Sequence, residues 1–145
     1  MKDVVAGVDI GGTNTIIGFV DAEGVIHAEG RLSTPEYAFA DDFVIGLDTK
    51  LKEMIAGHPD LKLIGIGIGA PNANFNSGTI ELAPNLRWKG IIPLVKITER
   101  RTGLKTRITN DANAAALGEM IFGAAKRVKD FIILTLGTGL GSGIV

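Results

Sequence analysis

Three stretches of this chain combine residue types in a spacing that could do chemistry. In Asp9-Ile10-Gly11-Gly12-Thr13-Asn14, an acid near the end of an apolar run is followed by two glycines, a hydroxyl and an amide. Glycine lets the backbone come close without a Cβ clash, so the free N–H groups of such a turn can meet phosphate oxygens. The Thr13 hydroxyl adds a donor, and Asp9 can hold a magnesium ion through water. Leu134-Thr135-Leu136-Gly137-Thr138-Gly139-Leu140-Gly141-Ser142-Gly143 repeats the plan, with an apolar run entering a glycine–hydroxyl turn and leaving again. Two such hairpins resemble jaws on opposite sides of a polyphosphate. Each alone also reads as ordinary glycine punctuation. Neither is a Walker loop, because no Gly-Lys-Ser or Gly-Lys-Thr occurs, and no complete dinucleotide fingerprint follows the first strand.

The third stretch, Thr109-Asn110-Asp111-Ala112-Asn113-Ala114-Ala115-Ala116-Leu117-Gly118-Glu119, delivers a carboxylate to the first turn of an alanine-rich helix. The positive end of a helix favours an ionised acid. An ionised acid is what a phosphoryl-transfer enzyme needs to take a proton from a substrate hydroxyl. The plainer reading is a helix N-cap. Asn85, in Ala83-Pro84-Asn85-Leu86-Arg87-Trp88, carries both donor and acceptor and suits sugar hydroxyls. Trp88, the single tryptophan, could stack beneath a sugar ring, but core packing is the favoured expectation. His27 and His58 lack ligand spacing and are assigned no role.

The elements that must position these residues follow from periodicity. Val4–Ile10, Thr15–Asp21 and Val25–Leu32 read as three strands joined by turns too short for crossover helices, so they are expected to pair antiparallel. Phe43, Val44, Leu47, Leu51, Met54 and Ile55 share one face of a helix that starts near Asp41 and stops at Gly57 and Pro59. Leu61–Gly69 is a strand, with Ile64, Ile66 and Ile68 expected on one face and glycines at 65, 67 and 69 on the other. A glycine face predicts that a helix or another backbone packs very close. Pro71–Lys89 lacks periodicity and reads as loop with a short hairpin around Ser77-Gly78. A helix opens at Pro93 and runs to about Arg101, a strand spans Lys105–Thr109, and a helix capped by Asn110-Asp111 reaches about Phe122. Phe131–Leu136 and Leu140–Val145 form the closing hairpin. The predicted order is β-β-β-α-β-α-β-α and then a glycine-turn hairpin, an α/β fold.

Composition narrows the function classes. The chain has 145 residues with 46% apolar and 21% charged residues, ordinary for a soluble domain. A net charge of −1 predicts neither nucleic acid nor anionic lipid as a partner. With no cysteine there is no disulfide framework, thiolate zinc site or thiol nucleophile in the chain. The start carries an acid at once and no long apolar run, so neither a signal peptide nor a membrane span is expected, and the location is read as cytoplasmic. The 20 glycines are clustered, which fits backbone brought close to something and not a linker.

Together, Asp9–Asn14, Gly65-Ile66-Gly67-Ile68-Gly69-Ala70-Pro71, Ala83-Pro84-Asn85-Leu86-x-Trp88, Asn110–Ala115 and Gly137-Thr138-Gly139-Leu140-Gly141 resemble the ROK family of repressors and sugar kinases, over essentially the whole chain. Its bacterial glucokinases are the nearest in flavour. The resemblance implies a ribonuclease-H-like, actin-like ATPase domain and phosphorylation of a hexose by ATP with Mg2+. It implies that Asp111 is the base that activates the sugar's primary hydroxyl, and that Asn85 and Asn110 hold sugar hydroxyls. Gly11, Gly12 and Thr13 would face the ATP phosphates, Thr138 and Gly139 would form the opposite lip, and Asp9 would sit near magnesium. Asn72 departs from the glycine that many members carry after the proline. In the family, further sugar-binding histidine and glutamate residues, a cysteine-rich zinc motif in many members, and most of the nucleotide domain come later.

On this reading residues 1–129 are the amino-terminal domain and 130–145 open a second one. The chain alone is then expected to be inactive and to associate with itself. A non-catalytic sugar-binding fragment is one alternative. A sugar-sensing ROK regulator is another, disfavoured because the first strand begins at Val4 and the chain is not basic.

Overall fold

A computed structural model describes residues 1–136 and 140–145. Its centre is a five-stranded sheet in the order β3-β2-β1-β4-β8. The strands are β1 (Lys2–Ile10), β2 (Asn14–Val20), β3 (Ile26–Ser33), β4 (Leu61–Ala70) and β8 (Thr106–Asn110). The first three pair antiparallel, as their short connections require. β4 joins β1 in parallel and β8 joins β4 in parallel, each after a crossover. The crossover helices are α1 (Ala40–Ala56) and α2 (Leu94–Thr102), which pack together and cover one face of the sheet.

That face is the core. Val4, Ala6, Val8 and Ile10 of β1 alternate inward and meet Phe43, Val44, Leu47 and Leu51 of α1 within one buried cluster. Burying side chains of this kind stabilises a fold by about 1.5–3 kcal/mol each. α1 begins where Asp41 and Asp42 suit its positive end. α2 follows Pro93 and ends at Gly103, whose φ of 72° terminates the helix in the left-handed region.

Two expectations are corrected. Ile64 does not share a face with Ile66 and Ile68. Val4 pairs with Leu63 and Val5 with Gly65, so Ile64 is an extra residue at a bulge and is 46% exposed. The bulge inverts the alternation, with Leu61 buried before it and Ile66, Ile68 and Ala70 after it. The element order also gains a small sheet between β4 and α2, made of β5 (Ala73–Asn74), β6 (Thr79–Glu81) and β7 (Ile91–Ile92). The β5–β6 hairpin turns at Gly78 as foreseen, while β7 is too short to show a period.

α3 (Asp111–Ile121) lies over β4 and β8 on the opposite face, against the hairpin of β9 (Ile132–Leu136) and β10 (Leu140–Ile144). Trp88 packs in the core, 4% exposed, with its ring 4.8 Å from that of Phe43 and Nε1 donating to the Tyr37 carbonyl at 3.0 Å. Among the described residues no helix is long and apolar enough to cross a membrane.

Candidate active site

The three parallel strands end together, at Ile10, Ala70 and Asn110. Beyond those ends come the Gly11–Thr13 turn, Pro71-Asn72 and Asp111. Ligand sites of open α/β sheets form at these carboxyl ends. Register brings Asp9 beside Gly69, and Gly69 beside Thr109.

Gly69 explains how Asp111 reaches this place. A Cβ at Gly69 would stand 3.2 Å from the Ala114 Cβ and 3.5 Å from the Asp111 Cα. Its absence lets the first turn of α3 settle onto the sheet, as the glycine face predicted. Gly67, two residues earlier, faces open space instead. Asn110 is the N-cap of α3, its Oδ1 accepting from the Ala112 N–H at 2.9 Å and the Asn113 N–H at 3.4 Å. That use occupies the Asn110 carbonyl and leaves its amide N–H groups for a ligand. Asp111 Oδ1 accepts from the Ala112 N–H at 2.8 Å, which orients the carboxylate.

Asp9 and Asp111 line one cleft of about 1080 Å³, together with Gly69, Thr109, Phe75 and Thr135. The walls strip water from Asp9, and the Asp111 charge adds to the effect, so the Asp9 carboxyl titrates above its ordinary value. A site where two carboxylates repel one another favours a cation between or beside them. Magnesium is held in such places by one or two carboxylates, water and substrate phosphates. Hard oxygen donors therefore fit the implied Mg2+. Among the described residues no cluster of three or more His, Cys, Asp or Glu side chains could hold a metal ion by itself.

Asn85 and Gly12 are brought together outside this cleft. A Cβ on Gly12 would lie 2.9 Å from the Asn85 carbonyl oxygen and 3.3 Å from the Asn85 Cβ. The Gly11 N–H donates to the Asn14 carbonyl at 2.9 Å and closes the turn. Asn72 adopts φ 53°, a conformation glycine takes freely and asparagine tolerates. Its Nδ2 donates to the carbonyls of Glu81 and Leu82 at 3.0 and 3.2 Å, which anchors the entry to the Asn85 loop. Leu82 is left-handed too, at φ 53°.

Thr138 and Gly139, the expected second phosphate lip, lie outside the described residues. The hairpin glycines beyond them have a packing role that the sequence did not disclose. A Cβ at Gly143 would fall 2.7 Å from the Ala112 carbonyl oxygen and 2.9 Å from the Ala116 Cβ, and one at Gly141 would fall 3.3 Å from the Ala112 Cβ. α3 thus lies between glycine positions of the main sheet and of the hairpin. Sequence reading passed over Thr109 and Thr135 in the cleft, because a threonine inside a strand looks like β-propensity. It also assigned nothing to Thr34 or Arg87, which have no motif of their own.

Comparison with known proteins places these features. Residues 5–145 match the model of the ROK family. The chain belongs to the ROK family. Among ROK proteins, it is 41% identical over 140 residues to the glucokinase of Streptomyces coelicolor, an alignment that covers 96% of this chain and 42% of that one. It also superposes on the crystal structure of the Streptomyces griseus ROK glucokinase in complex with glucose and AMPPNP, with a TM-score of 0.80, 40% identity and coverage of 98% of this chain and 44% of the other. ROK repressors are relatives as well, the xylose repressor of Caldicellulosiruptor bescii being 48% identical over 84 residues, 57% of this chain and 21% of its own. The chain spans less than half the length of these ROK relatives. Its fold is the actin-like ATPase domain of the ROK kinases, a mixed α/β sheet with antiparallel and parallel strands.

Proposed function

We propose that the protein is an ATP-dependent hexose kinase that phosphorylates glucose at its primary hydroxyl. The observation that carries the reading is Asp111, seated by Gly69 at the start of α3 and sharing a cleft with Asp9 at the ends of the parallel strands. The similarity to glucokinases supports the same assignment.

Asp111 accepts the proton of the sugar hydroxyl as the hydroxyl oxygen attacks the γ-phosphorus, and the bond from that phosphorus to the bridging oxygen breaks with its electron pair leaving on ADP. Asn85 and the Asn110 amide hold neighbouring sugar hydroxyls and fix the attack direction. Backbone N–H groups of Gly11 and Gly12 and the Thr13 hydroxyl meet the phosphates, with Thr138 and Gly139 on the facing lip. Mg2+, held at Asp9, supplies charge neutralisation to the ATP phosphates when bound. Residues 1–129 form the amino-terminal actin-like ATPase domain, and 130–145 form the opening hairpin of a second domain. The protein works in the cytoplasm on small molecules, without nucleic acid, as a homo-oligomer.

The test is glucose-dependent ADP release, compared between the unaltered sequence and Asp111→Asn, each carried in a protein of the full length of the ROK relatives, because these 145 residues span less than half of that length and are expected to be inactive alone. Turnover that survives in the variant at more than a tenth of the original would remove Asp111 as the base. The similarity to the xylose repressor favours one second reading, a sugar-sensing regulator that binds hexose at Asn85 and Asn110 without turnover. Glucose binding without ADP release by a protein that also binds ATP would select it.

A further inference from the structure

Three segments distant in sequence are tied into one closed ring that holds the proposed phosphate turn and the Asn85 loop together. The Gly11–Thr13 turn and the start of β2 that follows it are each joined to the 3₁₀ turn Thr34–Glu36: the Thr34 N–H donates to the Thr13 carbonyl at 3.2 Å, and the Thr15 and Thr34 hydroxyls share a buried hydrogen bond of 2.9 Å. The 3₁₀ turn and the Tyr37 that ends it are joined to the Asn85 loop by two more bonds. Arg87 Nη1 donates to the Pro35 carbonyl at 2.7 Å, and Trp88 Nε1 donates to the Tyr37 carbonyl at 3.0 Å. The ring closes where Gly12 meets Asn85, with room for a hydrogen but not for a methyl. Its four bonds join groups that lie 19 to 52 positions apart, so no local propensity accounts for them.

We infer that this ring couples nucleotide and sugar binding, with Arg87 as a positioning residue and Gly12 as the contact through which the phosphate turn and the sugar loop sense each other. The inference rests on the reading of Asn85 as a sugar ligand and of Gly11–Thr13 as a phosphate turn. Arg87 touches neither ligand in that scheme. It holds the backbone that carries Asn85, two residues away, against the turn that also braces Thr13. Phosphate that draws the Gly11–Thr13 backbone toward itself moves Gly12 relative to Asn85. A sugar that fixes Asn85 restricts Gly12 in return. Linkage then requires each ligand to change the affinity for the other by the same factor.

The experiment is calorimetric titration of glucose into the purified protein with and without a non-hydrolysable ATP analogue, for the unaltered protein, Arg87→Ala, Arg87→Lys, Gly12→Ala and Asn85→Ala. The unaltered protein should bind glucose about fivefold or more tightly in the presence of the analogue, the low end of ordinary coupling. Arg87→Ala should bring that factor close to 1 while leaving the analogue's own affinity within about twofold, and Arg87→Lys, which keeps a donor, should restore part of it. Gly12→Ala, which forces a methyl against the Asn85 carbonyl, should weaken both ligands. A coupling factor near 1 in the unaltered protein, or one unchanged by both Arg87→Ala and Gly12→Ala, overturns the inference. Glucose affinity that is absent, or indifferent to Asn85→Ala, instead overturns the sugar-site reading beneath it.

Discussion

Asp9 and Asp111 do different work although both are carboxylates in one cleft. Asp111 sits at a helix N-terminus with an N–H donated to it, whereas Asp9 is desolvated and faces the Asp111 charge. In a protein of the full length of the ROK relatives, replacing Asp111 by Asn is expected to lower turnover by about 10²–10⁴-fold, the usual share of a general base, with glucose affinity far less affected. Paired kcat and glucose Kd measurements check this. Asp9 leads to the opposite prediction for stability. Its folded pKa is raised, so the folded state binds the proton more tightly than the unfolded chain, and its contribution is lost as pH rises through that value. Asp9→Asn should therefore raise Tm at pH 7, and the gain should shrink below about pH 4, where the unfolded carboxyl is itself protonated. A variant with lower Tm at pH 7 would show that Asp9 is held by favourable partners. The same substitution should impair magnesium-dependent turnover, so that function and stability move in opposite directions.

At the scale of elements, α3 is positioned by what its neighbours lack. Gly69→Ala puts a methyl 3.2 Å from the Ala114 Cβ, so the first turns of α3 must give by a few tenths of an ångström. A cost of about 1–3 kcal/mol is expected from overpacking of this kind. Because the displaced turn carries Asp111, turnover of a protein of the full length of the ROK relatives should fall with it. Chemical denaturation and kcat on the same preparation check whether the two losses occur together. The β2–β3 turn depends on a different device. Asp21, with a side chain only 1% exposed, accepts from Lys2 Nζ and bonds His27 Nε2, each at 2.7 Å, and accepts the Val25 and Glu23 N–H groups. The His27 bond, then the Lys2 bond, hold its carboxyl far below the ordinary carboxylate range. The stability it contributes is present above the unfolded value and lost as pH falls toward the folded one. Asp21→Asn should thus lower Tm at pH 7 and show a smaller difference from the unaltered protein at pH 3. His27, to which the sequence assigned no role, belongs to this structural cluster and not to the cleft.

For the whole molecule, the hairpin of β9 and β10 presents Ile132, Leu134, Leu136, Leu140 and Ile144 to solvent on one side. Glycines on the other side seat it against α3. An exposed apolar strand pair invites pairing with a second copy. The 145-residue chain is expected to self-associate at high concentration, and Leu136→Glu together with Leu140→Lys should reduce that association without lowering Tm. Light scattering across a concentration series decides it, and a strictly monomeric chain would remove the expectation.

The sequence by itself determined the main-sheet strands, the helices α1, α2 and α3 and the candidate residues, but not the small sheet of β5, β6 and β7. Strand alternation, the apolar face of α1, the Gly57 and Gly103 stops and the Asn110 cap are local, since they depend on neighbours within a turn or a strand. Glycine clusters likewise marked where backbone would approach something closely. Tertiary structure decided what that something was. Gly69 and Gly143 meet α3 from two sides, Gly12 meets Asn85, and none of these partners is near in sequence. The bulge at Ile64 was hidden because strand periodicity is blind to a single extra residue until the partner strand sets the register. The ring through Thr34 and Arg87 was hidden for the same reason: its bonds run from side chains or backbone to main-chain carbonyls and hydroxyls 19 to 52 residues away, and a carbonyl carries no residue type to read.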